Sequence, residues 1–101
     1  MARPARHTQT RVRGVEIDEG IAPLIDALWT QGFHTFGSCQ EFRPGTARIW
    51  FDTEGDRRLF MAQVHDFSSM VSGDGYVVDF LTAEIPALTE RISTLDMTMR
   101  V

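Results

Sequence analysis

The sequence predicts an α+β domain, with two helices on one face of an antiparallel four-stranded sheet and a third helix after it. Three observations predict this. Short stretches with apolar residues, 12–18, 33–39, 47–52 and 76–81, read as strands, with alternation of Ile49 and Phe51 against Arg48, Trp50 and Asp52 in the third. Between and after these stretches, apolar residues fall at three- and four-residue spacing, the period of a helix. Glycine and proline cluster where the period changes, at Gly20, Gly32, Pro44-Gly45 and residues 73–75. The resulting order, β-α-β-β-α-β and then α, is that of a ferredoxin-like split β-α-β two-layer sandwich.

Each element has its own warrant. Residues 1–11 lack a period, contain Pro4 and read as a basic flexible tail ahead of a single domain over 12–101. Val12, Val15 and Ile17 form a first strand ending at Asp18. Ile21, Leu24, Ile25, Leu28 and Trp29 stand at i, i+3, i+4, i+7 and i+8, one helical face. Asp18-Glu19-Gly20 reads as an irregular turn, which puts Pro23 in the first helical turn where its missing N–H costs nothing. Gly32 stops that helix. In the second strand, 33–39, Phe33 and Thr35 share one face and His34 and Phe36 the other. A loop over 40–46 turns at Pro44-Gly45, and the third strand sets Ile49 and Phe51 against Arg48, Trp50 and Asp52. Phe60, Val64, Phe67 and Val71 align on one helical face, so the second helix is expected to run from Thr53 or Glu54 to Val71. Residues 76–81 are the fourth strand, and Ile85, Leu88, Ile92 and Leu95 a third helix beginning near Pro86. Residues 97–101 alternate like a strand.

Composition bounds the class. The 101 residues suffice for one core, and 43% apolar with 24% charged is the balance of a globular domain. No apolar run approaches the roughly 20 residues of a membrane span, and no apolar segment follows Met1 as in a secretory signal. One cysteine cannot close an internal disulfide, so a cytoplasmic setting is expected, the host cytoplasm if a phage encodes the chain. All ten basic residues are arginine, the mark of a GC-rich genome. Arg3, Arg6, Arg11 and Arg13 lie in an acid-free start, whereas residues 14–101 carry six Arg against fourteen acids, a local balance of −8. The start could contact nucleic acid phosphates, although the acidic body opposes that polyanion.

If the topology holds, right-handed crossovers make the first two strands parallel and the next two opposite. The turn after strand one, the loop between strands two and three and the loop before strand four then meet on one sheet edge. That edge would gather Asp18, Glu19, Ser38, Cys39, Gln40, Glu41, Arg43, Ser72 and Asp74. Catalysis has little support there. Cys39 needs a base, and His34 lies five residues back, roughly 16 Å at strand rise. His65 falls within the expected second helix, on its exposed side. No Cys-x-x-Cys or His-x-x-x-His suggests zinc, and acidic loops are ordinarily just solvated, so no metal and no cofactor are expected. Ser72-Gly-Asp-Gly-Tyr lacks both phosphate-loop patterns and reads as a turn. Trp50 and Arg48 would sit on the uncovered sheet face. Such faces stack bases in some RNA-binding domains, but no RNP-like sequence exists here, and a homodimer interface is the commoner use.

Two resemblances add to this reading. Residues 17–25 (IDEGIAPLI), with Ala27-Leu28-Trp29 and Gly37-Ser38-Cys39-Gln40-Glu41, resemble small uncharacterised proteins of actinobacteria and their phages. That likeness covers about residues 15–60 and the 85–88 patch, and implies no activity. Ser38-Cys39 is also similar to the Ser-Ser-Cys-Ser-Gly-Arg motif of the wybutosine-synthesis tRNA methyltransferase, though Gln40, Glu41 and Phe42 replace its Ser-Gly-Arg. The second likeness implies an enzymatic alternative that binds S-adenosylmethionine or a nucleotide. The reading that results is a non-enzymatic, phage-type accessory protein binding a host protein or small ligand through the edge around Ser38–Arg43. Nucleic-acid binding through the basic start stands as an alternative, and no membrane role is expected.

Overall fold

The computed structural model describes residues 8–67, 70–72 and 75–95. Its order is β1 (Gln9–Val12), β2 (Val15–Asp18), α1 (Ala22–Thr30), β3 (Thr35–Arg43), β4 (Thr46–Phe51), α2 (Glu54–Gln63), β5 (Val71–Ser72), β6 (Val77–Leu81), a short 3-10 turn at Thr82–Glu84, and α3 (Ile85–Ser93). The class is α+β, as expected. Every strand pairing is antiparallel, in a four-stranded sheet of order β3-β4-β6-β5 and a separate β1-β2 hairpin. No helix among the described residues is long and apolar enough to cross a membrane.

The sheet corrects the ferredoxin-like expectation, which needs the first strand inside the sheet, parallel to the second. That strand instead folds back on the residues before it. Arg13 and Gly14 both have positive φ, 51° and 84°, making a two-residue turn that registers Val12 against Val15 and Gln9 against Asp18. Residues 9–11, expected in the tail, are therefore strand. With β2 satisfied by β1, β3 becomes an edge of the four-stranded sheet.

The second helix also differs. It ends at Gln63, and Val71 belongs to β5, paired with Asp79 of β6. The stop has a visible cause: Val64 N–H bonds Met61 C=O and Phe67 N–H bonds Val64 C=O, so the backbone tightens into turns. Arg91 of α3 holds that end, donating to the Gln63 carbonyl at 2.9 Å and to both Asp66 oxygens at 2.8 Å. His65 thus lies in an exposed turn rather than mid-helix. Residues 73–74 and 96–101, with the strand expected at the C-terminus, lie outside the described residues.

The rest follows the patterning. Ile21, Leu24, Ile25 and Leu28 are fully buried on α1, Pro23 stands in its first turn, and Gly32 follows its end with φ of 92°. Ala47, Ile49 and Phe51 point from β4 into the core, where they meet Val78 and Phe80 of β6 and the buried faces of the three helices. Phe33, Phe51 and Phe60 pack with centroids 5.2–6.3 Å apart. Thr46, Arg48 and Trp50 take the alternate positions and look out from the other face.

Candidate functional site between the hairpin and the sheet edge

The helix α1 carries the chain from the end of β2 to the start of β3. Two contacts fix how these strands lie. At one end the β1-β2 turn reaches the end of α1, where Arg13 Nη2 donates to Thr30 Oγ1 at 2.6 Å and lies 3.4 Å from Asp26. At the other end Gln40 N–H donates to Asp18 Oδ2 at 3.1 Å. The two strands therefore run in the same direction, tied near their ends, with no strand ladder between them among the described residues.

Gln40 is the knot of this arrangement. Its side-chain oxygen accepts from Gly20 N–H, and its carbonyl accepts from Thr82 Oγ1 at 2.6 Å. A Cβ on Gly20 would sit 2.5 Å from that side-chain oxygen, so a larger residue there would displace the end of the Gln40 side chain. Asp18 is 7% exposed, and its other oxygen accepts from Gln9 Nε2 at 3.1 Å. A buried carboxylate held by donors on both oxygens fastens the hairpin to the sheet edge.

Between these ties lies a groove of about 380 Å³. Val15, Glu16, Ile17 and Asp18 form one wall and Thr35, Phe36, Gly37 and Ser38 the other, with Trp29 and Gln9 completing the lining. Trp29 is held by its Nε1–H donating to Thr35 Oγ1 at 2.9 Å. Glu16 and Asp18 are the charged lining residues, so the groove is acidic. Register shifts fall between Thr35 and Gly37 and between Cys39 and Arg43 in β3, and Phe36, at the first of them, is left 68% exposed beside the groove.

Other expected site residues are placed differently. Residues 40–43 belong to strand β3, not to a loop, and a two-residue turn at Pro44-Gly45 joins β3 to β4. Glu41 accepts from Gly45 N–H at 3.0 Å and so closes that turn. Cys39 is half-buried opposite Arg48. Burial pushes its thiol up from the ordinary value, and the Asp18 and Glu41 carboxylates add to this, partly offset by a backbone hydrogen bond at Glu41. Such a thiol is poorly ionised at neutral pH. Arg43 turns toward the open sheet face and donates to Asp79 at 3.2 Å. Glu19 is exposed, its backbone N–H bonded to Thr8 C=O at 2.7 Å. Asp74, Arg3 and Arg6 lie outside the described residues. Arg11 bonds the Gly14 carbonyl of its own turn, so with Arg13 it braces the hairpin. Among the described residues no cluster of three His, Cys, Asp or Glu could hold a metal ion.

Comparison with family models, curated proteins and solved structures finds no match to this chain.

The structure adds groups that the sequence did not single out. Asp79, 8% exposed, accepts from Arg48 Nε at 2.6 Å and Nη2 at 2.9 Å across the β4-β6 pair. Arg48 also lies 3.7 Å from the Phe42 ring centroid and 5.5 Å from that of Trp50. The signal in the sequence was one acid in the apolar run Val77-Val78-Asp79-Phe80-Leu81, but its partner needs the strand register. Glu16 could have been found by strand alternation, two residues before Asp18.

Proposed function

We propose that the protein works by binding, and that its ligand or partner enters the groove between β2 and β3. The observation that carries this is an acidic groove lined by Trp29 and closed at one end by the Asp18–Gln40 tie. A concave site with apolar walls and a few fixed polar groups is the usual form of a ligand pocket, and 380 Å³ falls within the size range of such pockets. The binding stretch expected at Ser38–Arg43 moves toward the hairpin, because Glu41 and Arg43 serve internal contacts. Of the expected residues, Asp18 and Ser38 line the groove, joined by Glu16, Thr35 and Trp29. The proposed partner is still a host protein or a small ligand.

A fragment library titrated against the isotopically labelled full chain tests the site. Hits should shift the amides of 15–18 and 35–38 and quench Trp29 in a Trp50→Phe variant, and Gln40→Ala should weaken them by releasing the hairpin. Hits that gather instead on Phe42 and Trp50, with the groove amides unmoved, would refute it.

A second reading has an observation of its own. The outer sheet face exposes Phe42 at 45%, Val71 at 58% and Leu81 at 50% around the Arg48–Asp79 pair, which suits a homodimer interface. A monomeric mass in light scattering at high protein concentration would remove it.

A further inference from the structure

The outer sheet face has two unlike halves. Trp50 is registered beside Val77, and Arg48 beside Asp79, down the middle of the β4-β6 pair. Ala47, Ile49, Val78 and Phe80 fill the alternate positions and the core, so these four look outward. On the β3 side Phe42 lies over Arg48, its ring centroid 3.7 Å from the guanidinium. On the β5 side Val71 is registered beside Asp79. One half thus offers rings and a cation, and the other offers aliphatic side chains and an anion. Phe42 is 45% exposed and Val71 58%, so both margins are open.

Resting on the homodimer reading above, we infer that two copies pack outer face to outer face about a two-fold axis that runs along the strands, between β4 and β6. Such an axis exchanges the members of each β4-β6 pair. Arg48 of one copy then faces Asp79 of the other, Trp50 faces Val77, and Phe42 faces Val71, each contact occurring twice. An axis across the strands at the same level would set Arg48 on Arg48 and Asp79 on Asp79, opposing like charges. Charge also selects a second copy as the occupant. The chain carries a net −4, so copies repel one another in most orientations, whereas Arg43, Arg48 and Asp79 leave this face at +1. Both arginines are committed to the Asp79 oxygens, which leaves little for a polyanion to bind. The four strands hold 9, 6, 2 and 5 residues, a footprint of roughly 350 Å² per copy at strand rise and spacing. A standard interface buries about 800 Å² per partner, so the pairing is transient, half complete at about 0.1–1 mM. Because β3 is an outer strand, the grooves of the two copies come to lie on opposite margins of the dimer.

Sedimentation velocity of the full chain up to about 1 mM tests this, with Phe42→Lys and Val71→Glu as variants at exposed positions. The wild-type mass should rise toward twice that of the monomer. Each variant alone should associate about tenfold more weakly, since it sets a charge against an apolar side chain twice over. An equimolar mixture of the two should recover most of the wild-type association. In the mixed dimer the two introduced charges face each other at one contact, and the other keeps Phe42 on Val71. Isotope-filtered contacts in a mixture of labelled and unlabelled wild-type chain should join the Phe42 ring of one copy to the Val71 methyls of the other, a readout that needs no variant to fold. A wild-type chain still monomeric at about 1 mM, or association untouched by either variant, would remove the homodimer reading and this inference together. Association lost in both variants but not recovered in the mixture, or a Phe42–Phe42 contact between copies, would keep the homodimer and overturn the axis.

Discussion

Replacing Asp79 by alanine tests the charged centre of the open sheet face. The carboxylate is 8% exposed and takes two hydrogen bonds from Arg48 and one from Arg43. Removing it leaves the Arg48 guanidinium between Phe42 and Trp50 with no anion opposite. Breaking a fully buried pair on one side costs about 3–5 kcal/mol. The Arg48 side chain keeps 21% of its exposure, so water recovers part of that, and about 2–3 kcal/mol is expected. In a domain of this size that lowers Tm by about 10–20 °C. Arg48→Met keeps contact with Phe42 and discards the charge, so the double variant should regain much of the loss, with a coupling of about 1.5 kcal/mol or more. The pH dependence has a definite sign. Hydrogen bonds from Arg48, then the charges of Arg48 and Arg43, hold Asp79 below the usual carboxylate range. Its contribution is therefore complete above about pH 4 and is lost as pH falls through the lowered value. Thermal melts followed by circular dichroism at pH 7 and at stepped acid pH measure both. A coupling under about 0.5 kcal/mol, or a gap from Asp79→Ala that does not narrow in acid, would refute the reasoning.

Two further outcomes are expected. Asp66, gripped by the Arg91 fork, should titrate at about 2, and Arg91→Met should return it to the ordinary range near about 3.9; a carbon-detected carboxyl titration reads both, and a wild-type midpoint in the ordinary range would exclude the fork in solution. Cys39, raised by burial and by the Asp18 and Glu41 carboxylates, should react with iodoacetamide more slowly than a free cysteine at pH 8, with Glu41→Gln speeding the reaction; a rate equal to that of free cysteine would show that burial and both carboxylates are without effect.

Helix faces and the inner face of β4 were legible because burial writes a period into the sequence. Ile21 to Leu28, Ala47 to Phe51, and Ile85 to Ile92 are buried where their spacing places them. The second helix was overextended because Phe67 and Val71 keep its period by chance, while the stop depends on Arg91, 28 residues from the Gln63 carbonyl it caps. No local pattern carries a contact of that range. Asp18 lies beside Gln40 and shares the groove lining with Ser38 although β2 is not in the four-stranded sheet, because the β2-α1-β3 crossover brings these segments together whether or not β2 joins it.

The hairpin turn decides the rest. Arg13-Gly14 supplies the two positive-φ positions that let β2 pair with β1, and Arg13 then ties the turn to Thr30 and Asp26 at the end of α1. A β2 already paired on one edge needs only one more neighbour, and α1 holds it parallel to β3 with the Asp18–Gln40 bond at the far end. The sheet meanwhile takes its remaining partners on the other side of β3, from β4 through β6 to β5. The groove is thus a consequence of how the strands were shared out: the hairpin satisfied β2 locally, and the crossover fixed its direction beside β3.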